Sequence, residues 1–366
     1  MPMRADSVAV VLGTRPEIIK LAFIIKALGP AARIVHTGQH FDQQLFQVFL
    51  NAFELPNPSV HLGVGGKTRG SQIGSATQAL DTLFADERPD FVVVQGDTNT
   101  TLAGALAANA REIAIVHVEA GLRSGDRRMP EEHNRVLTDH LADLLCAPTE
   151  VAVQNARMEG IPDERIELTG NTIVEAVHHL MPDSSERRAL LTDFELTANE
   201  FVVSTFHRTE NVDDPTQLGS VLRQLALLQY PVLLPLHPRT RSVAEQHGLD
   251  SMFDGIRVID PIGYREFLGL SAESAFLVSD SGGIQEESSI YKRPVIVVRR
   301  STERPEVLNT FARLVDISSV SDTAREWLAD PQSVHHELID VPSPYGDGSA
   351  STRIVGSIAR LAETRR

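Results

Sequence analysis

The run AFLVSDSGGIQEE, residues 275–287, passes from an apolar strand (Ala275 to Val278) through Ser281-Gly282-Gly283 into the start of a helix. Two adjacent glycines let the backbone approach a ligand closely, and the unbonded amides and positive dipole end of the helix favour an anion there. The same arrangement also serves as a plain tight turn. What separates the two readings is a carboxylate pair one turn inside the helix, Glu286 and Glu287. One of them can hold sugar or ribose hydroxyls while the amides hold phosphate, which points to a nucleotide sugar.

The strand, turn and helix unit recurs along the whole chain. Ser7 to Gly13 (SVAVVLG) reads as a buried parallel strand, and Pro16-Glu17 as the first turn of the next helix. Further strands are expected at Arg33 to Thr37, Asp90 to Gln95, Ile113 to Val118, Leu144 to Ala147 and Arg165 to Thr169. Helices are expected from about Phe41, over Gly70 to Phe84, Thr98 to Asn109, from Glu132, and over Glu150 to Glu159. This is the grammar of a doubly wound parallel sheet. The first glycine turn lacks a GxGxxG, so no dinucleotide is expected there.

Pro182 to Glu200 is polar, with little periodicity, and reads as a passage to a second domain. Strands resume at Phe201 to Thr205, Val232 to Leu236, Ile256 to Ile259, Ala275 to Val278 and Val295 to Val298, and an amphipathic helix closes the chain from about Ser351. The expected fold class is α/β: a first Rossmann-like domain over residues 1–181, completed by the helix 351–366, and a second over residues 182–350. Sheets of this kind place ligands at the carboxyl ends of their strands.

At 366 residues with 42% apolar content, the chain is long enough for two such domains. Lys and Arg number 34 against 49 Asp and Glu, a net charge of −15, which argues against nucleic acid as a partner. No run reaches the length of a membrane span and residues 1–7 lack an apolar signal core, so no membrane association and a cytoplasmic location are expected. The single cysteine, Cys146, sits in an apolar stretch and reads as a buried small hydrophobe.

Five polar clusters follow directly on apolar strands: Gly13-Thr14-Arg15, Gln95-Gly96-Asp97-Thr98, His117 to Arg123, Phe206 to Glu210, and Leu236 to Arg239. Each alone has an ordinary structural reading, such as Asp97-Thr98 capping a helix. Arg15, ahead of a helix N-terminus, is the better candidate for a diphosphate because its planar fork pairs bidentately; Lys20 alone reads first as a solvated surface charge. Glu131 and Glu132 open a helix, where acids complement the dipole. Carboxylates sharing one cleft would raise each other's pKa and supply an acid and a base near neutral pH; Asp97, Glu119, Glu131 and His207 form such a set. Arg304, after the last expected strand, is placed to reach the phosphate cradle.

The segments GTRPEIIKLA (13–22), TGQH (37–40), QGDTNTTLAGALAA (95–108), HVEAGLRSGD (117–126), PEEHNR (130–135), HRTEN (207–211), SDSGGIQEE (279–287), TERPE (302–306) and PYGDG (344–348) together resemble the non-hydrolysing UDP-N-acetylglucosamine 2-epimerases. The resemblance covers nearly the whole chain. It implies a GT-B-like fold with the substrate between two Rossmann-like domains, a final helix returning to the first domain, and a homodimer. It also implies epimerisation at C2 without a cofactor or metal, by loss of UDP to 2-acetamidoglucal and its re-addition.

By the same resemblance Asp97, Glu119 and Glu131 are the carboxylates at the reacting sugar, and His207 is a cationic or acid partner near the leaving diphosphate. Arg15, Lys20, Ser281, Gly282, Gly283 and Arg304 hold UDP, Glu287 binds ribose, Phe267 or Tyr264 lies near uracil, and His237 lines the site. Two nearby activities remain open, the same epimerisation on a modified sugar such as a diacetamido-uronate and a hydrolysing reaction that releases UDP. A GT-B glycosyltransferase and a nucleotide-sugar sensor are the readings outside the family.

Overall fold

Strand β1 (Val8–Leu12) is buried along its whole length, as the unbroken apolar run VAVVL predicts for the centre of a parallel sheet. A computed structural model describes residues 3–39 and 43–365. His40, Phe41 and Asp42, and with them part of the TGQH motif and the expected start of the helix after it, lie outside the described residues. The chain divides into two compact units, one running up to His178 and resuming from Tyr345, the other spanning His179–Pro344.

In the first unit β1 is joined by β2 (Ala32–His36), β3 (Val60–His61), β4 (Phe91–Gln95), β5 (Ala114–Val118), β6 (Leu144–Ala147) and β7 (Ile166–Leu168). The described strands form one parallel sheet in the order β3-β2-β1-β4-β5-β6-β7. β1 pairs with β2 (Val10 opposite Ile34) on one side and with β4 (Val10 opposite Val93) on the other. The chain winds outward from β1 in one direction and then, from β4, in the other. Loops leaving β1 and β4 therefore diverge, which opens a crevice at their carboxyl ends.

The last helix, Ala350–Thr364, belongs to this first unit. Its start is fixed by Glu175, which accepts from the Ser351 amide (3.1 Å) and hydroxyl (2.7 Å), while Arg353 donates to the Thr169 carbonyl.

The second unit repeats the plan with β8 (Val202–Thr205), β9 (Val232–Pro235), β10 (Ile256–Ile259), β11 (Phe276–Ser279), β12 (Val295–Val298) and β13 (Ala312–Val315). Their order is β10-β9-β8-β11-β12-β13, again all parallel, with the reversal between β8 and β11. The two units thus share one winding rule. The doubly wound α/β class read from the sequence is the architecture found.

Within Pro182 to Glu200, where the sequence shows little periodicity, Ser184–Asp193 forms a helix capped by Asp183 and Glu186. None of its residues is fully buried, so it carries no apolar stripe by which to be recognised. No helix among the described residues is long and apolar enough to cross a membrane.

Candidate functional site

The turn after β1 is held from within. Glu17, three residues into the helix Arg15–Leu28, is wholly buried, and its carboxylate accepts from the amides of Gly13 (2.9 Å) and Thr14 (2.7 Å) and from the Thr98 hydroxyl (2.7 Å). Burial pushes this carboxyl from 4.5 up to about 7, against the lowering pull of those hydrogen bonds. Gly13 cannot be replaced there, since a Cβ would lie 2.0 Å from the Thr37 hydroxyl and 2.4 Å from that of Thr100. Arg15 stands exposed at the first position of the helix.

Lys20 lies one turn further on and is buried, not solvated as its charge alone suggested. Its ammonium pairs with Glu119, which also accepts from Asn171 (3.2 Å). The run Ile18-Ile19-Lys20-Leu21-Ala22 is buried without a break, so the lysine's stem is packed and its head needs a counter-charge. Glu119 itself has φ of +64°, a left-handed conformation that costs a non-glycine residue about 1 kcal/mol. It is bent out of β5 to meet the lysine.

Asp97 follows β4 and accepts from Arg135 Nη2 at 2.6 Å. Arg135 also pairs with Glu132 at 2.6 Å. Glu132 receives the amides of Ser124 (3.0 Å) and Gly125 (2.8 Å); burial acts to raise its pKa, but these amides and Arg135 hold it below the usual range. Glu131 is half-buried, and its carboxylate has no hydrogen bond or ion pair among the described residues. Asp97 and Glu119 each face a cation, a pairing that the sequence reading did not include.

Behind them His117 bridges the Gly96 carbonyl (2.8 Å) and Asp139 (2.6 Å), so both ring nitrogens face acceptors. Asp139 is fully buried, and its pKa is nonetheless depressed because His117 and Arg123 outweigh that burial. This network ties together the loops after β4 and β5 that carry Asp97 and Glu119.

The second unit carries a polar cluster at its own strand reversal. Asp280, directly after β11, accepts from the Arg208 amide (3.0 Å), Asn211 (2.9 Å) and His207 Nδ1 (3.1 Å). Burial opposes its ionisation, yet His207 and these donors keep its pKa depressed. The His207 ring is pinned at one edge while 58% of the side chain stays exposed.

The helix Gly282–Tyr291 then begins with no side-chain cap from Ser281. Among the described residues no side chain caps the amides at the start of this helix, the kind of helix terminus that favours an anion. A Cβ on Gly282 would lie 2.7 Å from Arg304 Nη1, so that guanidinium forms the wall of the cradle. Arg304 is held there by Glu286 (2.7 Å) and Glu303, and Glu303 also binds Arg299 (2.7 Å).

Deeper in the same helix Glu287 accepts from the Tyr264 hydroxyl at 2.7 Å, with Phe267 half-buried one turn along from Tyr264. His237 is exposed just past β9. No group of three or more His, Cys, Asp or Glu side chains among the described residues is arranged to hold a metal.

Sequence reasoning grouped Ser281, Gly282, Gly283, Glu287, Tyr264 and Arg304 at one nucleotide site, and the structure brings Tyr264 to Glu287 and Arg304 to Gly282; the seating of His207 on Asp280 was not foreseen. It missed Glu17, Arg135, His117, Asp139 and Asp280, each of which has a partner far away in sequence, and Glu303, whose bonded partners Arg299 and Arg304 are local. An available signal was the burial of charged residues inside apolar runs, as for Lys20.

A sequence model of the UDP-N-acetylglucosamine 2-epimerase family matches residues 27–359. The chain is 38% identical to a UDP-N-acetylglucosamine 2-epimerase of Methanocaldococcus jannaschii, over 95% of this chain and 97% of that protein. It is 37% identical to a UDP-2,3-diacetamido-2,3-dideoxy-D-glucuronate 2-epimerase of Pseudomonas aeruginosa, over 96% and 99% respectively. A crystal structure of the M. jannaschii enzyme in complex with UDP-GlcNAc and UDP superposes with a TM-score of 0.86 at 37% identity, covering 96% of this chain and 99% of that one.

Proposed function

The chain belongs to the UDP-N-acetylglucosamine 2-epimerase family, and from that premise we propose that it interconverts UDP-N-acetylglucosamine and UDP-N-acetylmannosamine without net hydrolysis. The observation that carries this reading is the cradle at Ser281-Gly282-Gly283, whose glycine amides are open to an anion and whose wall is the clamped guanidinium of Arg304. A site of that kind can keep hold of UDP after its bond to the sugar has broken.

The hydrogen at C2 is not adjacent to a carbonyl, so direct deprotonation would be very slow. Elimination avoids the difficulty. A carboxylate of the set Asp97, Glu119 and Glu131 takes the C2 proton as the C2–H electron pair forms the C1=C2 double bond. The C1–O pair leaves with UDP, giving 2-acetamidoglucal. In the return step UDP oxygen bonds to C1 as a proton is delivered to the opposite face of C2. Atoms and electrons balance with no redox cofactor.

In this proposal Ser281, Gly282, Gly283, Arg15, Lys20 and Arg304 bind the diphosphate. Glu287 binds ribose, Phe267 lies near uracil and His237 beside the nucleotide, while His207, oriented by Asp280, meets charge on the departing phosphate. Preorganised donors of this sort are typically worth about 10²-fold or more in rate. The protein would act as a homodimer, which light scattering coupled to size-exclusion chromatography reads as a mass of twice the 40.1 kDa chain.

The P. aeruginosa relative, about as similar as the M. jannaschii one, supports a second reading in which the sugar is a diacetamido-uronate. Incubation with each nucleotide sugar, followed by separation of products, tests both. The proposal expects a gluco/manno mixture from UDP-N-acetylglucosamine with UDP remaining sub-stoichiometric. Turnover of the uronate alone would transfer the function to the second reading, and stoichiometric free UDP at completion would make the enzyme a hydrolase.

A further inference from the structure

The two units treat the same turn in opposite ways. After β11 the glycine amides are left open to a ligand, whereas after β1 the amides of Gly13 and Thr14 are already occupied by the Glu17 carboxylate. The first turn carries its own carboxyl group. It is thereby closed to a diphosphate, and Glu17 is free to do something else.

Its second oxygen shows what that is. Glu17 Oε1 accepts from the Thr98 hydroxyl at 2.7 Å, and the same hydroxyl accepts from the Thr101 amide at 3.1 Å, capping the helix Asn99–Ala110. The Thr98 hydroxyl therefore ties that helix to the helix Arg15–Leu28, and the Thr101 hydroxyl reaches the same Glu17 oxygen at a longer 3.4 Å. Asp97 is the residue immediately before Thr98. Its other restraints come from elsewhere: Arg135 on its carboxylate, Asn134 on its carbonyl (2.8 Å), and His117 on the carbonyl of Gly96. Of these, only the Glu17–Thr98 link joins Asp97 to the helix that carries Arg15 and Lys20.

We infer that Glu17 is a positioning residue for the proposed epimerisation: its carboxyl fills the first glycine turn from within and, through Thr98, sets Asp97 in register with Arg15 and Lys20. The inference rests on the role proposed for Asp97. Because UDP is assigned mainly to the other unit, loosening this link would slow the chemical step and leave nucleotide binding in place. A displacement well under an ångström at a reacting carboxylate is enough for a large loss of rate.

The test measures kcat and KM for UDP-N-acetylglucosamine, and UDP Kd by titration calorimetry, in Glu17→Gln, Thr98→Ala, the double variant and Thr98→Ser. Glu17→Gln and Thr98→Ala are each expected to lower kcat tenfold or more, with UDP Kd within twofold of wild type. The double variant should fall no more than twofold below the weaker single variant, since both remove one link, and Thr98→Ser should return to within threefold of wild type.

Wild-type kcat in either folded single variant, losses that multiply, or UDP affinity falling in step with kcat would overturn the inference. If Glu17→Gln does not fold, the contrast between Thr98→Ala and Thr98→Ser decides. A wild-type chain inactive on the sugar would overturn the proposed function itself, an outcome distinct from an active wild type whose variants keep full kcat.

Discussion

Gly282→Ala places one methyl group in the wall of the phosphate cradle. The new Cβ would stand 2.7 Å from Arg304 Nη1 and 2.9 Å from Glu303 Oε1, whereas ordinary contact begins at 3.4 Å. The guanidinium must therefore retreat by about 0.7 Å. It is not free to do so, because Nε is bonded to Glu286 at 2.7 Å and Nη1 to Glu303, and both carboxylates are buried. A shift of that size would stretch one of these charged bonds beyond hydrogen-bonding range or withdraw Arg304 from the ligand.

Losing one charged hydrogen bond costs about 1.5–3 kcal/mol, so UDP should bind roughly 10- to 100-fold more weakly. Titration calorimetry of UDP on wild type and Gly282→Ala reads this directly. Gly74→Ala serves as a control, because a Cβ there meets nothing within 4 Å. A folded Gly282→Ala protein that binds UDP within twofold of wild type would refute the assignment of Arg304 and this turn to the phosphate.

Asp97→Asn keeps the shape of the side chain and its contact with Arg135 but removes the charge, so UDP affinity should stay near wild type while epimerisation is lost; wild-type turnover would contradict the role given to Asp97. Lys20→Met strands the Glu119 carboxylate in a buried site and should destabilise the fold by about 3 kcal/mol or more, with at least half of that recovered in Lys20→Met/Glu119→Gln; urea denaturation measures both, and strictly additive losses would show that the pair is not coupled. Because burial lifts the Glu17 carboxyl from 4.5 to about 7, the folded state holds a proton over that interval that the unfolded state has released. The stability this group contributes is present below about pH 4.5 and lost as pH rises to about 7, so the unfolding free energy of wild type relative to Glu17→Gln should fall between pH 5 and pH 8. A flat or rising difference would contradict that.

Local signals carried much of the fold. Leu144–Ala147, Ile256–Ile259 and Val295–Val298 are strands at the bounds their apolar runs indicate. Two strands left no such trace: β3 is two residues long, too short for any period, and β13 alternates a buried alanine with the exposed Arg313 in a run of four.

The site was legible where chemistry is local, as in Ser281-Gly282-Gly283 opening a helix. It was illegible where function depends on pairing at a distance. Lys20 finds Glu119 99 residues away and Glu17 finds Thr98 81 residues away, and nothing near either residue in sequence announces its partner. A charged residue set among apolar neighbours, such as Lys20 in IIKLA, does announce that a partner is needed.

The central claim is that UDP stays bound while the proton at C2 comes and goes. Proton NMR of UDP-N-acetylglucosamine with the wild-type protein in deuterated water tests it most directly. The account predicts that the C2 proton signal is lost to deuterium as the manno epimer accumulates, with the diphosphate linkage to the sugar intact in both epimers at equilibrium. Retention of the C2 proton with no manno product would contradict it.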